Sequence, residues 1–312
     1  MTRYPPAAGG PHGWIILDKP RGLGSTQAVS AVKRNLREAG FNMKLKGGLK
    51  VGHGGTLDPL AEGVLPIALG EATKLCGRML DSDKIYAFTV KFGEQTDTLD
   101  TEGPVIATSE VRPTLAEVQA VLPRFTGPIE QAPPMYSAIK VDGRRAYDLA
   151  RGGQQVEMKL RSVTIHDLCV AGTPGAGPLD AITLIAEVSK GTYVRSLARD
   201  IALALGTVGH VTYLRRIKAG PFTESQAISL DLLNEIGKGA PLEDHLLPLE
   251  AGLDGIPALT LDPESAQAVR QGRVISGLPN PDGLYLAKLG ADPVALLEID
   301  GGSATVVRGF NV

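Results

Sequence analysis

A glycine-rich segment at residues 51–60 carries the side chains best suited to chemistry in this 312-residue sequence. Its three glycines allow the backbone to approach a ligand closely or to adopt positive φ angles. Asp58 precedes a proline, which disfavours helical backbone at the aspartate and predicts a carboxylate held on an extended loop. His53 adds an aromatic ring with two nitrogens to the same loop. This pattern is typical of a loop whose carboxylate acts as a nucleophile or a base.

The same loop admits other interpretations. A phosphate-binding loop is disfavoured because no Gly-Lys-Ser/Thr follows the glycines. A plain turn is the commoner explanation by composition alone, because aspartate is frequent in turns. Arg195 could orient Asp58 through a bidentate pair, or could belong to a surface ion pair of little energetic consequence. Tyr86 opens a predicted strand, where it could face a site or simply edge the core, and sequence separation does not decide between these interpretations.

Positive charge is concentrated in two parts of a chain whose net charge is only −2. Residues 1–52 hold nine Lys or Arg against two acids, and residues 190–218 hold six against one. Residues 224–264 hold nine acids against one base. The asymmetry indicates a basic face that could bind a polyanion and an acidic face turned away from it, although solvated helix surfaces would give the same counts.

The elements that must position these residues mix strands and helices without a strict strand–helix–strand rhythm. This arrangement favours an α+β fold with a mainly antiparallel sheet over a doubly wound one. The apolar spacing predicts strands over residues 14–17, 85–92 and 182–188, and helices over residues 26–36, 114–122, 196–205 and 229–236.

The C-terminal part of the chain has a different texture. After Pro248, short apolar runs are separated by Gly, Pro and Asp, which predicts a small and mostly β module over residues 249–312. The runs are residues 258–261, 266–269, 284–289, 294–299 and 304–307.

Composition excludes several classes of protein. Hydrophobic residues make up 43% and charged residues 21%, values typical of a globular chain rather than a disordered or fibrous one. No apolar run is long enough to span a bilayer, and residues 1–13 lack the apolar stretch of a secretory signal. Cys76 and Cys169 are the only cysteines, too few for a disulfide framework or a thiolate zinc site. A cytoplasmic location is therefore expected.

Motifs in series give the sequence a specific resemblance. The loop and its continuation at residues 52–66, GHGGTLDPLAEGVLP, resemble the catalytic motif of the TruB family, the bacterial tRNA pseudouridine-55 synthases. The resemblance covers roughly residues 14–220. Its other blocks, in order, are residues 16–22 (ILDKPRG), 70–74 (GEATK), 81–86 (DSDKIY), 96–103 (TDTLDTEG), 131–140 (QAPPMYSAIK), 191–197 (GTYVRSL) and 210–216 (HVTYLRR).

The resemblance implies a fold, an architecture and a reaction. The fold would be that of pseudouridine synthases, with a mixed, mainly antiparallel central sheet flanked by helices and loops. Residues 1–248 would form the catalytic domain, with an RNA-gripping insertion around residues 127–153, and residues 249–312 a small PUA-type RNA-binding β domain. The enzyme would isomerise uridine to pseudouridine in tRNA, without a metal, redox cofactor or nucleotide.

Site residues follow from the same resemblance. Asp58 would be the essential carboxylate, attacking C1′ or acting as a base through a glycal, and Tyr86 and Arg195 the other catalytic residues. His53 would fill the stack that the flipped base vacates. The remaining substrate and RNA contacts would come from Lys19, Pro20, Gly54, Thr56, Lys140, Tyr193 and Leu214.

Partners and alternatives complete the expectations. The resemblance is to the branch that binds the T-arm of tRNA without a guide RNA or a membrane, and a monomer is expected. The main alternative is a non-catalytic tRNA-binding or tRNA-folding protein on the same fold. A nucleoside glycosidase would need a second carboxylate, for which Asp100 and Glu62 are candidates that fit a structural role better. The basic stretch at residues 42–50 could be an extra RNA contact or a surface loop.

Overall fold

The structure is a computed structural model that describes residues 10–44, 47–137 and 158–312, together with the backbone at 140–141 and 144–145. Its strands are β1 (Gly13–Lys19), β2 (Val51–His53), β3 (Glu62–Leu69), β4 (Lys84–Phe92), β5 (Glu94–Thr96), β6 (Val105–Thr108), β7 (Gly127–Gln131), β8 (Lys140–Val141), β9 (Arg144–Arg145), β10 (Arg161–Val170), β11 (Ala181–Val188), β12 (Gly209–Ala219), β13 (Phe222–Thr223), β14 (Leu247–Pro248), β15 (Ala258–Thr260), β16 (Ile275–Ser276), β17 (Gly283–Leu289), β18 (Asp292–Asp300) and β19 (Ser303–Gly309). Its α-helices are α1 (Ser25–Glu38), α2 (Cys76–Asp81), α3 (Leu115–Val121), α4 (Val194–Ala204), α5 (Leu230–Gly237) and α6 (Pro263–Arg270).

The central sheet is mixed and mainly antiparallel. Its strand order is β14-β1-β3-β12-β4-β11-β10-β7, with β2 added to β3 and β13 to β12. Only the β3–β12 pairing is parallel, and every other pairing within this sheet is antiparallel. The predicted α+β class and the mainly antiparallel sheet are therefore confirmed.

Strand β4 lies in the middle of the sheet and shows why its sequence forms a strand. Phe88, Val90 and Phe92 alternate along one face and are buried, while Tyr86 continues that face and is half-buried. Side chains two residues apart share a face of a strand, so this alternation buries one apolar row. The row packs against α4, whose Leu197 and Ile201 belong to the same core cluster. Tyr86 is thereby left at the edge of that core.

Strand β1 is buried on both faces, and its two faces contact different parts of the molecule. Ile15 and Leu17 pack with α1 and α5, whereas Trp14 and Ile16 pack on the opposite side of the sheet. The Trp14 indole donates a hydrogen bond to the Leu249 carbonyl at 3.1 Å.

Helix α1 begins at Ser25, which the sequence suggests as a capping residue. Gly24 occupies the N-cap position, so neither Ser25 nor Thr26 caps the helix as the sequence suggests. The Ser25 hydroxyl instead accepts from the Leu57 backbone N–H at 2.7 Å and donates to the Leu57 carbonyl at 2.9 Å. The start of α1 is thus fixed to the residue that precedes Asp58.

A second sheet of five strands forms the C-terminal part, in the order β15-β17-β18-β19-β16. The mostly β prediction for this region is confirmed, except that residues 266–269 lie in α6 because Asp262 caps a helix there. Leu286, Leu296 and Phe310 of this sheet share a core cluster with Trp14. The domain boundary at residue 248 stays a prediction.

Two segments of interest fall partly outside the described residues. These are the insertion around 127–153 and the basic stretch at 42–50. Within the described ranges, no helix is both long and apolar enough to cross a membrane.

Candidate active site

A cavity of about 290 Å³ opens beside the glycine-rich loop and brings together residues from distant parts of the chain. Its wall includes the loop at residues 55–58, strands β4 and β12, and residues 188–195 at the start of α4. Six of the residues expected at the site line it, namely Thr56, Asp58, Tyr86, Tyr193, Arg195 and Leu214.

The loop that carries Asp58 is held on its inner side. Gly55 has a φ of +135°, a conformation that side chains disfavour. A Cβ added to Gly54 would lie 2.6 Å from the Met79 Cβ, so a larger residue would push the loop away from α2. Glycine at residue 54 therefore serves close packing, while Thr56 is exposed at the rim.

Arg195 connects Asp58 to a second carboxylate. Its Nη2 lies 2.8 Å from Asp58 Oδ2, and its Nη1 lies 3.3 Å from Asp100 Oδ2. The guanidinium also donates to the Thr98 carbonyl at 2.9 Å and the Tyr136 carbonyl at 3.1 Å. Because all these contacts act on one planar group, the orientation of Arg195 is fixed, and with it the oxygen of Asp58.

Asp100 belongs to this network rather than to a separate site. It accepts hydrogen bonds from the Thr98 hydroxyl at 2.6 Å and the Glu102 backbone N–H at 2.9 Å. Its side chain is only 2% exposed. Glu62, the other carboxylate considered, pairs with Arg215 at 3.4 Å. Neither residue is placed as the second acid of a glycosidase.

Tyr86 and Leu214 reach the cavity from two adjacent strands. Arg216 of β12 is directly opposite Tyr86 of β4, and Leu214 is opposite Phe88. Leu214 is buried and gives the cavity an apolar wall. Sheet register therefore determines which side chains of the HVTYLRR block point into the site.

Arg216 is a site residue that the sequence analysis counted only as part of a basic region. It is buried and donates to three backbone carbonyls, those of Val64 at 2.8 Å and of Gly55 and Thr56 at 3.3 Å each. Its Nη1 also lies 3.5 Å from the Tyr86 hydroxyl. Its position on a strand two residues from an apolar cavity residue was the available signal, but charge alone suggested the surface.

Lys84 is a second cavity residue that was missed. Its ammonium donates to the carbonyls of Met79 and Leu80 at 2.8 Å each and of Ser82 at 2.5 Å. Burial lowers the pKa of Lys84 to about 8, and the nearby charge of Arg216 acts in the same direction.

Tyr193 precedes α4 and points toward the same space. Its backbone N–H donates to Gln131 Oε1 at 2.8 Å, which ties the start of α4 to the end of β7. Burial raises the pKa of the Tyr193 phenol. The hydroxyl therefore stays protonated near neutral pH and can donate a hydrogen bond.

Lys19 does not occupy the exposed position that a phosphate contact requires. It is fully buried, and its ammonium donates to the carbonyls of Pro20 at 3.0 Å and Leu23 at 2.5 Å. Burial lowers the pKa of Lys19 to about 8, which the charge of Asp58 opposes. We therefore assign Lys19 to holding the turn at residues 20–23, while Pro20 itself is exposed.

His53 is not among the described residues that line this cavity. His53 is half-buried on β2, and the Gly55 N–H donates to its Nδ1 at 3.4 Å. Burial and the charge of Arg216 lower the pKa of His53, which favours a neutral ring near pH 7. The Lys140 side chain lies outside the described residues. Across the described part of the chain, no group of three His, Cys, Asp or Glu residues could hold a metal ion.

Two family models together match residues 41–254 of the chain. Residues 41–194 match the model of the TruB family pseudouridylate synthase N-terminal domain, and residues 195–254 match the tRNA pseudouridylate synthase B C-terminal domain. The sequence is 66% identical over 301 residues to tRNA pseudouridine synthase B of Novosphingobium aromaticivorans, covering 96% of this chain and 97% of that protein. It is 56% identical over 311 residues to the protein of the same name from Zymomonas mobilis, covering 100% of both.

Solved structures share the fold at lower identity. An H/ACA RNP bound to a substrate RNA containing 2′-deoxyuridine has a TM-score of 0.70 at 24% identity, over 96% of this chain and 85% of that one. A Cbf5–Nop10–Gar1 complex has a TM-score of 0.69 at 26% identity, with the same coverage of both chains.

Proposed function

The chain belongs to the TruB family of pseudouridylate synthases, and we propose that it isomerises the T-loop uridine at position 55 of tRNA to pseudouridine. The observation that carries the proposal is the cavity in which Arg195 holds Asp58 at 2.8 Å beside Tyr86. A non-catalytic RNA-binding protein would have no need to orient a half-exposed carboxylate in this way.

The reaction rearranges bonds without a net change in composition. The N1–C1′ bond breaks, the uracil turns while bound, and a C5–C1′ bond forms. The C5 proton is lost and N1 gains one, so no oxidant or reductant is required. Asp58 either attacks C1′ as a nucleophile or removes a sugar proton to give a glycal, and its position at the cavity wall suits both routes.

The surrounding residues take roles that their contacts support. We assign to Arg195 the orientation of the Asp58 oxygen, because its other bonds already fix the guanidinium. Tyr86 stacks on the base and assists proton transfer, and Leu214 packs against the base from the neighbouring strand. The Tyr193 phenol supplies a hydrogen-bond donor.

The target base must leave its stack before chemistry, which costs a few kcal/mol. We propose that His53 fills the vacated position with a neutral ring, and that the exposed Pro20 and Thr56 contact RNA around the loop. Gly54 keeps the loop close to α2, and Lys140 contributes a phosphate contact from the insertion.

We further propose that the chain binds the T-arm directly, as a monomer in the cytoplasm and without a guide RNA. The support is identity of 56–66% over nearly the whole length to proteins named tRNA pseudouridine synthase B. The identity to the matched protein of the Cbf5–Nop10–Gar1 complex is lower, at 26%, so the chain is more similar to the proteins named tRNA pseudouridine synthase B.

A mapping experiment tests the proposed function. The purified chain alone is incubated with a tRNA transcript, and pseudouridine is located by carbodiimide modification and primer extension. We expect one stop, at the T-loop uridine, and none in a transcript with cytidine at that position. Modification at other uridines only, or none at all, would reject the proposed substrate. Light scattering with and without tRNA tests the monomer.

A further inference from the structure

Unsatisfied polar atoms cluster beside the cavity. Three buried side-chain atoms lack a hydrogen-bond partner among the described residues: Asp97 Oδ1, Gln131 Nε2 and Ser137 Oγ. Gln131 and Ser137 delimit the segment 131–137, and Asp97 accepts a hydrogen bond from Tyr136 of that segment at 3.1 Å. Buried polar groups without partners are rare in folded proteins, so a cluster of them at one segment calls for a physical explanation.

Ser137 is the member of this cluster that faces the cavity. It lines the wall but is only 5% exposed, so bulk water does not readily satisfy its hydroxyl. The Tyr193 phenol is the neighbouring hydroxyl, and Ser137 opposes the rise of its pKa. The two hydroxyls nevertheless fall short of hydrogen-bond geometry. The Ser137 hydroxyl therefore keeps its hydrogen-bonding capacity for a group bound in the cavity.

The segment is held in place at two points. Arg195 donates to the Tyr136 carbonyl at 3.1 Å, and the Ser196 hydroxyl donates to the Ala132 carbonyl at 2.8 Å. The residue that precedes Ser137 is thus held by the same guanidinium that pairs with Asp58.

Besides Arg195, three cationic side chains line the cavity, and each of them already has partners. Arg216 donates to loop carbonyls, Lys84 donates to three carbonyls, and Lys190 pairs with Asp81 at 2.9 Å. A uracil base presents two carbonyl oxygens flanking one N–H. Its faces can meet Tyr86 and Leu214, but its polar edge needs neutral donors or acceptors, and a hydroxyl can serve as either.

We propose that Ser137 is a specificity-determining residue of this enzyme, whose hydroxyl donates a hydrogen bond to a carbonyl oxygen of the flipped uracil. The inference rests on the proposed function. Among the described residues the Ser137 hydroxyl is buried without a partner, and the base supplies one, so the bond contributes to binding and turnover of the base rather than to folding.

Ser137→Ala tests the proposal, with Ser196→Ala as the matched control. Ser196 is also a buried serine at this segment, but its hydroxyl has a partner. We expect S137A to slow single-turnover pseudouridine formation by about tenfold, the loss of one neutral hydrogen bond. Its melting temperature should be unchanged or higher than that of the wild type, whereas S196A should melt lower. S137T, which keeps the hydroxyl, should recover the rate to within about threefold.

The same assay separates the possible failures. A wild-type enzyme that forms no T-loop pseudouridine would reject the proposed function itself. A wild-type enzyme that turns over normally, with S137A equally fast, would overturn the role of Ser137 alone. A slow S137A whose melting temperature falls as far as that of S196A would also overturn it, because the hydroxyl would then be structural. T-arm affinity should change less than about twofold, since phosphate contacts dominate it.

Discussion

Arg195 lies between two carboxylates whose surroundings differ. The Asp58 side chain is 40% exposed and faces the cavity, whereas that of Asp100 is 2% exposed and has two further donors. Asp100 is therefore the fixed end of the network and Asp58 the end that can meet a substrate. Through Arg195, the position of Asp58 depends on Asp100, a residue that does not need to contact RNA.

Asp100→Asn removes the buried charge but keeps the shape of the side chain. We expect turnover to fall by about 10- to 100-fold, because Arg195 is no longer balanced and can shift away from its position beside Asp58. The free energy of unfolding should fall by about 2–4 kcal/mol. Single-turnover kinetics and urea unfolding provide the measurements.

Asp180→Asn is the control for this variant. Asp180 also pairs with an arginine, Arg112, at 2.9 Å, but its side chain is 91% exposed. A surface pair contributes about 0–1 kcal/mol, so D180N should change neither quantity appreciably. Equal effects of D100N and D180N would contradict the network.

At the scale of secondary structure, β12 clamps the loop that carries Asp58. Arg216 extends from this strand to the carbonyls of Gly55, Thr56 and Val64, which lie on both sides of Asp58. The loop thus keeps its shape through a guanidinium with several donors in one plane.

Arg216→Lys keeps the positive charge but removes the planar set of donors that contacts the three carbonyls. A single ammonium cannot reach all three carbonyls, so we expect kcat to fall at least about tenfold and the melting temperature to drop. Arg215→Lys is the matched control, since Arg215 is the adjacent residue of β12 and pairs with Asp18, Glu62 and Glu224 away from the cavity. R215K should keep kcat within about threefold; a loss in R215K equal to that in R216K would refute the clamp.

Lys84 connects the end of α2 to the start of β4 and makes stability depend on pH. Its folded pKa of about 8 lies below its usual 10.5, so the unfolded chain binds more protons between these values. The free energy of unfolding of the wild type should therefore rise from pH 8 to 10 relative to that of Lys84→Met. The rise should be at most about 3 kcal/mol. The three hydrogen bonds to carbonyls make it smaller, because they stabilise the charged ammonium in the folded protein. Urea unfolding at several pH values measures the difference; parallel curves for the two proteins would contradict the assignment.

Local sequence patterns predicted the strands and helices but not which of them come together at the site. The alternation in β4 and the helical spacing in α4 are visible in the sequence, because each element buries one apolar face. The pairing of Asp58 with Arg195 follows from sheet topology, which no local pattern encodes. Family resemblance suggested it in advance.

The burial of basic side chains was not predicted from the sequence. Lys19, Lys84 and Arg216 are all buried and all satisfied by backbone carbonyls. A basic side chain is ordinarily exposed, so without knowledge of the surrounding carbonyls the surface is the expected position. The roles of the RNA-contacting residues stay predictions.

At the scale of the whole molecule, the C-terminal sheet packs on the body that holds the site. Phe310 and Leu286 pack in one core cluster with Trp14 and Phe222. Lys74 donates to the Gly309 carbonyl at 2.8 Å, and the Asn311 N–H donates to Glu71 at 2.8 Å. Deleting this sheet would expose apolar surface, so a truncation would confuse loss of folding with loss of RNA binding.

Charge reversal tests an RNA-binding role of the C-terminal part of the chain more cleanly. Arg270, Arg273 and Arg308 are exposed. We expect R270E/R273E/R308E to weaken tRNA binding by at least about tenfold at 0.1 M salt and to flatten its salt dependence. Lys238→Glu, in the acidic stretch, should leave affinity unchanged. Wild-type affinity in the triple variant would contradict a phosphate contact here.

The central claim is that Asp58 in this cavity carries out the isomerisation, and tritium release from a tRNA labelled at uridine C5 tests it most directly. Release accompanies formation of the C5–C1′ bond. The account predicts one tritium released per T-loop uridine by the wild type. Asp58→Asn should release none while still binding tRNA and melting near the wild-type temperature. Release by the Asp58→Asn protein at a rate near that of the wild type would contradict the account.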